Sequence, residues 1–256
     1  MKKLAGILFA ALLLAATATL FDHPGHRAFA AAENISTEDA LALFLGIPYR
    51  IDGAIDEQGR YTLFAVQDQL FAEPGLNCSG FVLQASRQLL RKNIPLDVAT
   101  RDRLRDSGPD AAMGHDWDFG WDLVMNISEG VERSLLLPGG ILADPAAGSG
   151  LDPLGFDLHA PETWQELPDR IRPNHLYLVS FSRPTKQRGY SLQHYHVGLF
   201  IRTSEKDWYI YHTSRQRGRV GRDNLGNEQG RARFLRSFAN TGDHRKHIFV
   251  IEVPLP

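Results

Sequence analysis

The stretch HYHVGLFIRTSEKDWYIYHT, His194–Thr213, is the most informative part of the sequence for the fold class. Each half is a short run of aromatic and β-branched residues, and the polar turn Ser204–Asp207 between them predicts an antiparallel hairpin. Two more runs of this kind, His175–Phe181 and His247–Val253, predict further strands. We therefore expect four strands of an antiparallel sheet.

The first half of this hairpin alternates between two sets of side chains. The period of two predicts that one face carries the apolar residues Tyr195, Val197, Leu199 and Ile201. The opposite face would carry His194, His196 and Gly198. Since the apolar face should form the core, we expect His196 to face the segment that carries the cysteine. His212, on the neighbouring strand, would then lie beside His196.

Cys78 is the one cysteine of the chain and stands in NCSGFVLQASRQLL, Asn77–Leu90. The pattern predicts a helix that begins at about Cys78 and buries one face, while Gln84 and Arg87 belong to the polar face. The positive end of a helix stabilises a thiolate, so we expect a lowered thiol pKa. The alternative is a small buried residue without chemistry, as free cysteines often are.

The N-terminus resembles a secretory signal, because Lys2 and Lys3 precede an almost wholly apolar run, Leu4–Phe21, and small residues follow at Ala28–Ala30. We expect residues 1–32 to be a signal peptide and 33–256 the mature domain. An uncleaved membrane anchor stays an alternative, since the apolar run is just long enough to span a bilayer. A single cysteine in an exported chain is a candidate reactive thiol.

The remaining sequence indicates an α+β domain. A predicted helix, Thr37–Gly46, and the cysteine helix precede the strands, and residues 92–172 read as long loops with short helices. With 43% apolar residues and a formal net charge of −2, the composition is that of a globular protein without the basic bias of nucleic-acid binders.

A cysteine at a helix start, a strand histidine and a polar residue on the next strand form a pattern suited to thiol catalysis. The histidine takes the thiol proton and later protonates the leaving group, while the third residue fixes its orientation. We therefore interpret Cys78 as nucleophile, His196 as general base and acid, and His212 as the orienting residue.

The motifs GIPYRIDGA, NCSGFV, IRPNHLYLVSF, HVGLFI and IYHTS together resemble, in order, those of the NlpC-type papain-like cell-wall cysteine peptidases. The resemblance implies a papain-like fold and hydrolysis of amide bonds in peptidoglycan stem peptides, without a cofactor. It also implies a bacterial protein of the periplasm or cell envelope, and we expect a monomer. Tyr49 and the Cys78 N–H would stabilise the oxyanion. Asn77, where the family usually has aspartate, and Ser79 flank the nucleophile as candidate substrate-binding residues.

The segment of about 93–172 would be an insertion into that family pattern. It holds HDWDFGWDL, His115–Leu123, in which Trp117 and Trp121 either stack on sugar rings or anchor the insertion to the core. Asp116, Asp118 and Asp122 could hold calcium, but the closing glutamate of an EF-hand loop is missing, so we expect no metal.

Two other functions remain open from the sequence. One is a wall-binding module that has kept the fold without the activity. The other is acyl transfer, because a thioester on Cys78 can pass to an acceptor other than water.

Overall fold

The computed structural model describes residues 35–105, 117–151, 154–185, 192–204, 206–240, 242 and 245–256. The α-helices in this part of the chain are α1 Thr37–Ala42, α2 Cys78–Leu89, α3 Leu96–Ala99, α4 Phe119–Ile127, α5 Pro161–Arg170 and α6 Glu228–Ser237. The strands are β1 Gly53–Ile55, β2 Tyr61–Leu63, β3 Ser134–Leu137, β4 Ile141–Ala143, β5 Phe156–Asp157, β6 His175–Pro184, β7 Leu192–Arg202, β8 Trp208–Thr213, β9 Val220–Asn224 and β10 His247–Pro254. The predicted signal segment lies outside the described residues, and none of the described helices is long and apolar enough to cross a membrane.

The main sheet is antiparallel, in the order β4-β3-β10-β6-β7-β8-β9, with β5 paired to the start of β10. The four predicted strands are β6, β7, β8 and β10, and they are neighbours at its centre. The predicted β7–β8 hairpin is also present, with Leu199 opposite Tyr211. The α+β class is therefore confirmed, while the papain-like fold stays a prediction.

The sheet is covered on both faces, which the alternation pattern did not indicate. On one face, which we call the α6 face, Tyr177, Phe181 and Phe200 pack with Trp164 of α5 and Phe234 of α6. We call the opposite face the α2 face. There, Gly120 of α4 lies against Ser180, and the Tyr211 hydroxyl accepts a hydrogen bond from Arg222, which also binds Glu38 of α1.

Helix α2 belongs to the layer on the α2 face. It packs against α1 and α4, contacts β7 and β8, and Phe81 meets Phe44 edge-on, just after α1. Its predicted start at Cys78 is confirmed, but its polar face is not exposed. Gln84 and Arg87 are buried, and the Arg87 guanidinium donates to the carbonyls of Ile55 and Ile94. Arg87 thus ties α2 to β1 and to the chain before α3.

Two other predicted boundaries change. Helix α1 has the expected cap, since the Ser36 hydroxyl accepts a hydrogen bond from Asp39 N, but it ends at Ala42 rather than at Gly46. In the middle segment, β3 and β5 both pair with β10, and α4 packs against β6 and β7. That segment was predicted to be loops and short helices; it does contain α3, α4 and α5, but it also contributes strands to the main sheet. Strands of two to four residues carry too little periodicity to be recognised.

Candidate functional site

Cys78 is the first residue of α2 and is partly exposed. The preceding Asn77 caps the helix, because its side-chain oxygen accepts a hydrogen bond of 2.7 Å from Gly80 N. The Asn77 N–H in turn donates to the Gly53 carbonyl at 3.0 Å, which fixes the helix start against β1. The cap and this backbone contact therefore hold the thiol in one place.

The thiol lies in a cavity of about 290 Å³ beside the start of β7. One wall is formed by Cys78 and Ser79 with Phe119 of α4, and the other by Arg183 and the β7 residues from Gln193 to Val197. The predicted cysteine and the predicted strand histidine thus border the same cavity. Among the described residues, no hydrogen bond joins the Cys78 thiol to a histidine, and the Ser79 hydroxyl lies 4.0 Å from the Cys78 sulfur.

Burial raises the pKa of the Cys78 thiol above its ordinary value. Hydrogen bonds from the Val197 N–H, from the Ser79 hydroxyl and from the N–H groups at the helix start act in the opposite direction and offset only part of that cost. The expectation of a lowered pKa at this helix N-terminus is therefore wrong, because the loss of solvation outweighs the helix end.

A β-bulge separates the two histidines of β7. Phe181 pairs with His196 and Ser182 with His194, so Tyr195 is the extra residue on β7. The prediction that His194 and His196 share a face is therefore wrong. His194 lies on the α2 face, whereas His196 lies on the α6 face beside Phe181. A bulge inserts one residue and reorients the side chains around it, and nothing in the local sequence marks it.

His196 is almost completely buried among aromatic rings. Its ring centroid lies 5.0 Å from that of Phe181, 5.1 Å from Phe238 and 5.3 Å from His212. Burial, and then the neighbouring His212, hold the pKa of His196 well below its ordinary value. Within the described part of the chain, its Nε2 atom has no hydrogen-bond partner. The ring is thus neutral at pH 7 and points away from the α2 layer, contrary to the predicted orientation toward Cys78.

His212 lies beside His196, as predicted, and its tautomer can be assigned. Arg217 Nη1 lies 3.3 Å from His212 Nε2, and an arginine can only donate, so Nε2 must accept and Nδ1 carries the proton. Asp223 binds Arg217 at 2.8 Å and Arg233 at 2.6 Å, which fixes this arrangement. Burial lowers the pKa of His212, and the Asp223 carboxylate, whose Oδ2 lies 3.8 Å from Nε2, opposes that shift.

His194, to which the sequence assigned no role, is part of a buried network. Its Nδ1 accepts from the Ser180 hydroxyl at 2.9 Å, and its Nε2 donates to the Gly150 carbonyl at 2.6 Å. Burial lowers the pKa of His194 to about 4. The residue links the middle segment to the sheet next to the cavity, so its position is structural in this conformation.

The predicted oxyanion residue Tyr49 lies near the thiol. Its backbone N–H donates to Gly218, and a bridge pairs it with Leu76, two residues before Cys78. Burial raises the pKa of the Tyr49 hydroxyl, and the nearby Cys78 raises it further, while Arg215 opposes both. Tyr49 is thus close enough to Cys78 for the two groups to interact, which is compatible with its predicted role.

The two tryptophans of the middle segment are buried, with exposed fractions of 3% for Trp117 and 2% for Trp121. Both rings pack around His194, and Trp121 also meets Phe249. They anchor α4 to the sheet and offer no free face to a sugar, so the anchoring alternative agrees with the structure. Asp116 lies outside the described residues, and no group of metal-binding side chains occurs in the described part of the chain.

Comparisons with known proteins give no assignment: no family model, no curated protein and no solved structure matches the chain.

Proposed function

We propose that this chain is an exported cysteine hydrolase that cleaves an amide bond in peptidoglycan stem peptides. The observation that carries the proposal is the single cysteine of the chain at the first residue of α2, bordering the same cavity as the histidine-bearing start of β7. The substrate class and the export rest on the resemblance and on the apolar N-terminal segment.

In this mechanism the Cys78 sulfur attacks the amide carbonyl and His196 takes the thiol proton. Collapse of the tetrahedral intermediate breaks the C–N bond, and the same proton leaves with the amine. Water then hydrolyses the thioester and restores the thiol. The Cys78 N–H and the Tyr49 hydroxyl are the proposed donors to the oxyanion, and loss of such a donor typically costs about 10²–10³ in rate.

Both proposed partners are neutral in the resting protein, since burial raises the pKa of Cys78 and lowers that of His196. Proton transfer must therefore accompany attack rather than precede it. The mechanism also requires His196 to reach the thiol when substrate is bound. His212, with its tautomer fixed by Arg217, would orient the imidazole in that state.

The test is mass-spectrometric analysis of purified peptidoglycan digested by residues 33–256, by Cys78→Ala and by Ser237→Ala, a control at an exposed serine of α6 that does not border the cavity. We expect new stem-peptide fragments with the unmodified chain and with Ser237→Ala, and none with Cys78→Ala. Cleavage that persists in Cys78→Ala would refute the proposed nucleophile.

A wall-binding module is the second candidate, and two observations favour it: the thiol makes no hydrogen bond to any of the described histidines, and His196 packs against Phe238 on the α6 face. Sedimentation of the chain with insoluble peptidoglycan, unchanged in Cys78→Ala and without any fragment release, would support this function. Acyl transfer would instead produce a modified acceptor, when a lipid acyl donor and an amine are supplied, without net hydrolysis.

A further inference from the structure

The cavity beside Cys78 has an unbalanced charge. Among the described residues that line it, Arg183 is the one charged side chain, and none is an aspartate or a glutamate. Asn77, beside the thiol, adds no negative charge. A cavity of this kind favours an anionic group over a cationic one.

Arg183 is held in place without being neutralised. Its guanidinium carbon lies 4.8 Å from the centre of the Tyr195 ring, and Nη2 donates to Gln193 Oε1 at 3.1 Å. Tyr195 and Gln193 both border the cavity. Within the described part of the chain, Arg183 forms no ion pair with a carboxylate. The guanidinium therefore retains donors for a ligand.

A second cation stands next to the same ring. Lys246 Nζ lies 5.9 Å from the centre of the Tyr195 ring and donates to the Ala239 carbonyl at 2.5 Å. Burial lowers the pKa of Lys246, and the nearby charge of Arg183 lowers it further. Neither cation pairs with a carboxylate among the residues that the structure describes, so the two repel each other across the ring, and a bound anion would relieve that repulsion.

We propose that Arg183 forms a carboxylate subsite beside the nucleophile, so that the preferred substrate carries a free carboxylate near the scissile amide. This assignment of the substrate class rests on the proposed function. The planar fork of arginine suits a carboxylate, since two parallel N–H groups can meet its two oxygens.

The test uses two alkylating agents that differ in charge and needs no turnover. Iodoacetate and iodoacetamide each alkylate the Cys78 thiolate with release of iodide. The ratio of the iodoacetate rate to the iodoacetamide rate is divided by the same ratio for glutathione under the same conditions. We expect Arg183→Gln to lower the normalised iodoacetate preference by about three- to tenfold at low salt, with the effect shrinking as salt rises.

Two variants sharpen this test. Arg183→Lys keeps the charge and should retain most of the preference, whereas Arg236→Gln removes an exposed arginine of α6 that does not border the cavity and should change nothing. A ratio in Arg183→Gln equal to that of the unmodified chain would overturn the subsite.

A turnover experiment separates this inference from the proposed function. We expect Arg183→Gln to raise KM for a stem peptide with a free carboxylate beside the cleaved bond, and to leave KM unchanged when that carboxylate is an amide. Turnover of neither peptide by the unmodified chain, with the alkylation preference intact, would refute the hydrolase and leave the anion subsite standing. Turnover of both peptides with equal KM would refute the subsite alone.

Discussion

Burial sets the charge states of Cys78 and His196. The thiol is stabilised in its protonated form and the His196 ring in its neutral form. A preformed thiolate–imidazolium pair would require the opposite shifts, with a lowered thiol pKa and a raised histidine pKa. The Cys78 thiolate therefore forms only when a bound substrate or a movement of His196 changes the surroundings of the thiol.

This charge state predicts how Cys78 reacts with iodoacetamide. The thiolate is the reacting form, and its pKa is raised, so we expect alkylation at pH 7 to be slower than that of glutathione. The rate should still be increasing at pH 9. The measurement is the alkylation rate by mass spectrometry from pH 6 to 10, with the urea-unfolded chain as control. A rate plateau below pH 7 would instead indicate a stored ion pair.

At the scale of elements, the start of α2 depends on the Asn77 cap. Asn77→Ala removes the acceptor of the Gly80 N–H, and we expect it to lower the free energy of unfolding by about 1 kcal/mol. Asn77→Asp keeps the acceptor and should preserve most of that stability, while its negative charge slows alkylation of Cys78 at pH 9.

Urea denaturation of both variants, together with the alkylation rate, checks this prediction. Equal stability of Asn77→Ala and the unmodified chain would show that the cap contributes nothing. Faster alkylation in Asn77→Asp would contradict the electrostatic part.

Gly80 gives a second prediction for α2, because the helix crosses β1 at this residue. A Cβ atom built on Gly80 would lie 2.1 Å from the Gly53 carbonyl oxygen and 2.9 Å from Ala54 Cα. Helix propensity alone would make Gly80→Ala stabilising by up to about 1 kcal/mol. The clash is with backbone that cannot rotate away, so we expect a loss of at least about 1–3 kcal/mol.

Gly148→Ala is a suitable control for the Gly80 variant. Its added Cβ would meet the Pro145 carbonyl oxygen at 3.5 Å, an ordinary contact. We expect the melting temperature to fall clearly for Gly80→Ala and to change little for Gly148→Ala. A more stable Gly80→Ala would mean that α2 and β1 are not in close contact in solution.

The strands and the start of α2 could be predicted from sequence because their signals are local. Runs such as HLYLVSF and the cap at Asn77 are recognisable within a few residues. The direction in which His196 points was not predictable, since it depends on the bulge at Tyr195 and on α6 covering the second face. The burial of Arg87 could not be predicted for a similar reason, because its carbonyl partners at Ile55 and Ile94 come from separate segments of the chain.

The chemistry of the cavity was missed in the same way. Arg183 looks like an ordinary polar residue at the end of a strand, and only the β6–β7 pairing sets it opposite Gln193. Arg217 and Asp223, which lie next to His212, belong to an arginine-rich stretch whose composition is typical of a solvated surface. Asp223 is nevertheless buried, and it pairs with Arg217 and Arg233.

Across the whole molecule, burial of neutral histidines links stability to pH. His194 on the α2 face and His196 and His212 on the α6 face are all buried, and burial lowers the pKa of each. On unfolding, these groups return to ordinary values and bind protons that the folded state excludes. Both layers of the molecule therefore lose stability in acid for the same physical reason.

The sign and size of this effect follow from His194. Its pKa is about 4 in the folded state against 6.5 for the free side chain. The contribution of neutral His194 to the free energy of unfolding is fully present above pH 6.5 and is lost as the pH falls toward 4. At pH 5 the loss from this residue alone is about 2 kcal/mol, and His196 and His212 act in the same direction. Asp223, with a pKa of about 2, stays ionised across this range and does not offset the loss.

We therefore expect the free energy of unfolding of residues 33–256 in urea to fall by at least about 2 kcal/mol between pH 8 and pH 5. His194→Asn cannot take up the proton, so its free energy of unfolding should depend less on pH. At pH 8 this variant should be less stable than the unmodified chain, because the substitution weakens the hydrogen bonds to Ser180 and Gly150. Equal stability of the unmodified chain at the two pH values would mean that these rings reach water in solution. In that case His196 would be mobile enough to meet Cys78 without any further rearrangement of α6.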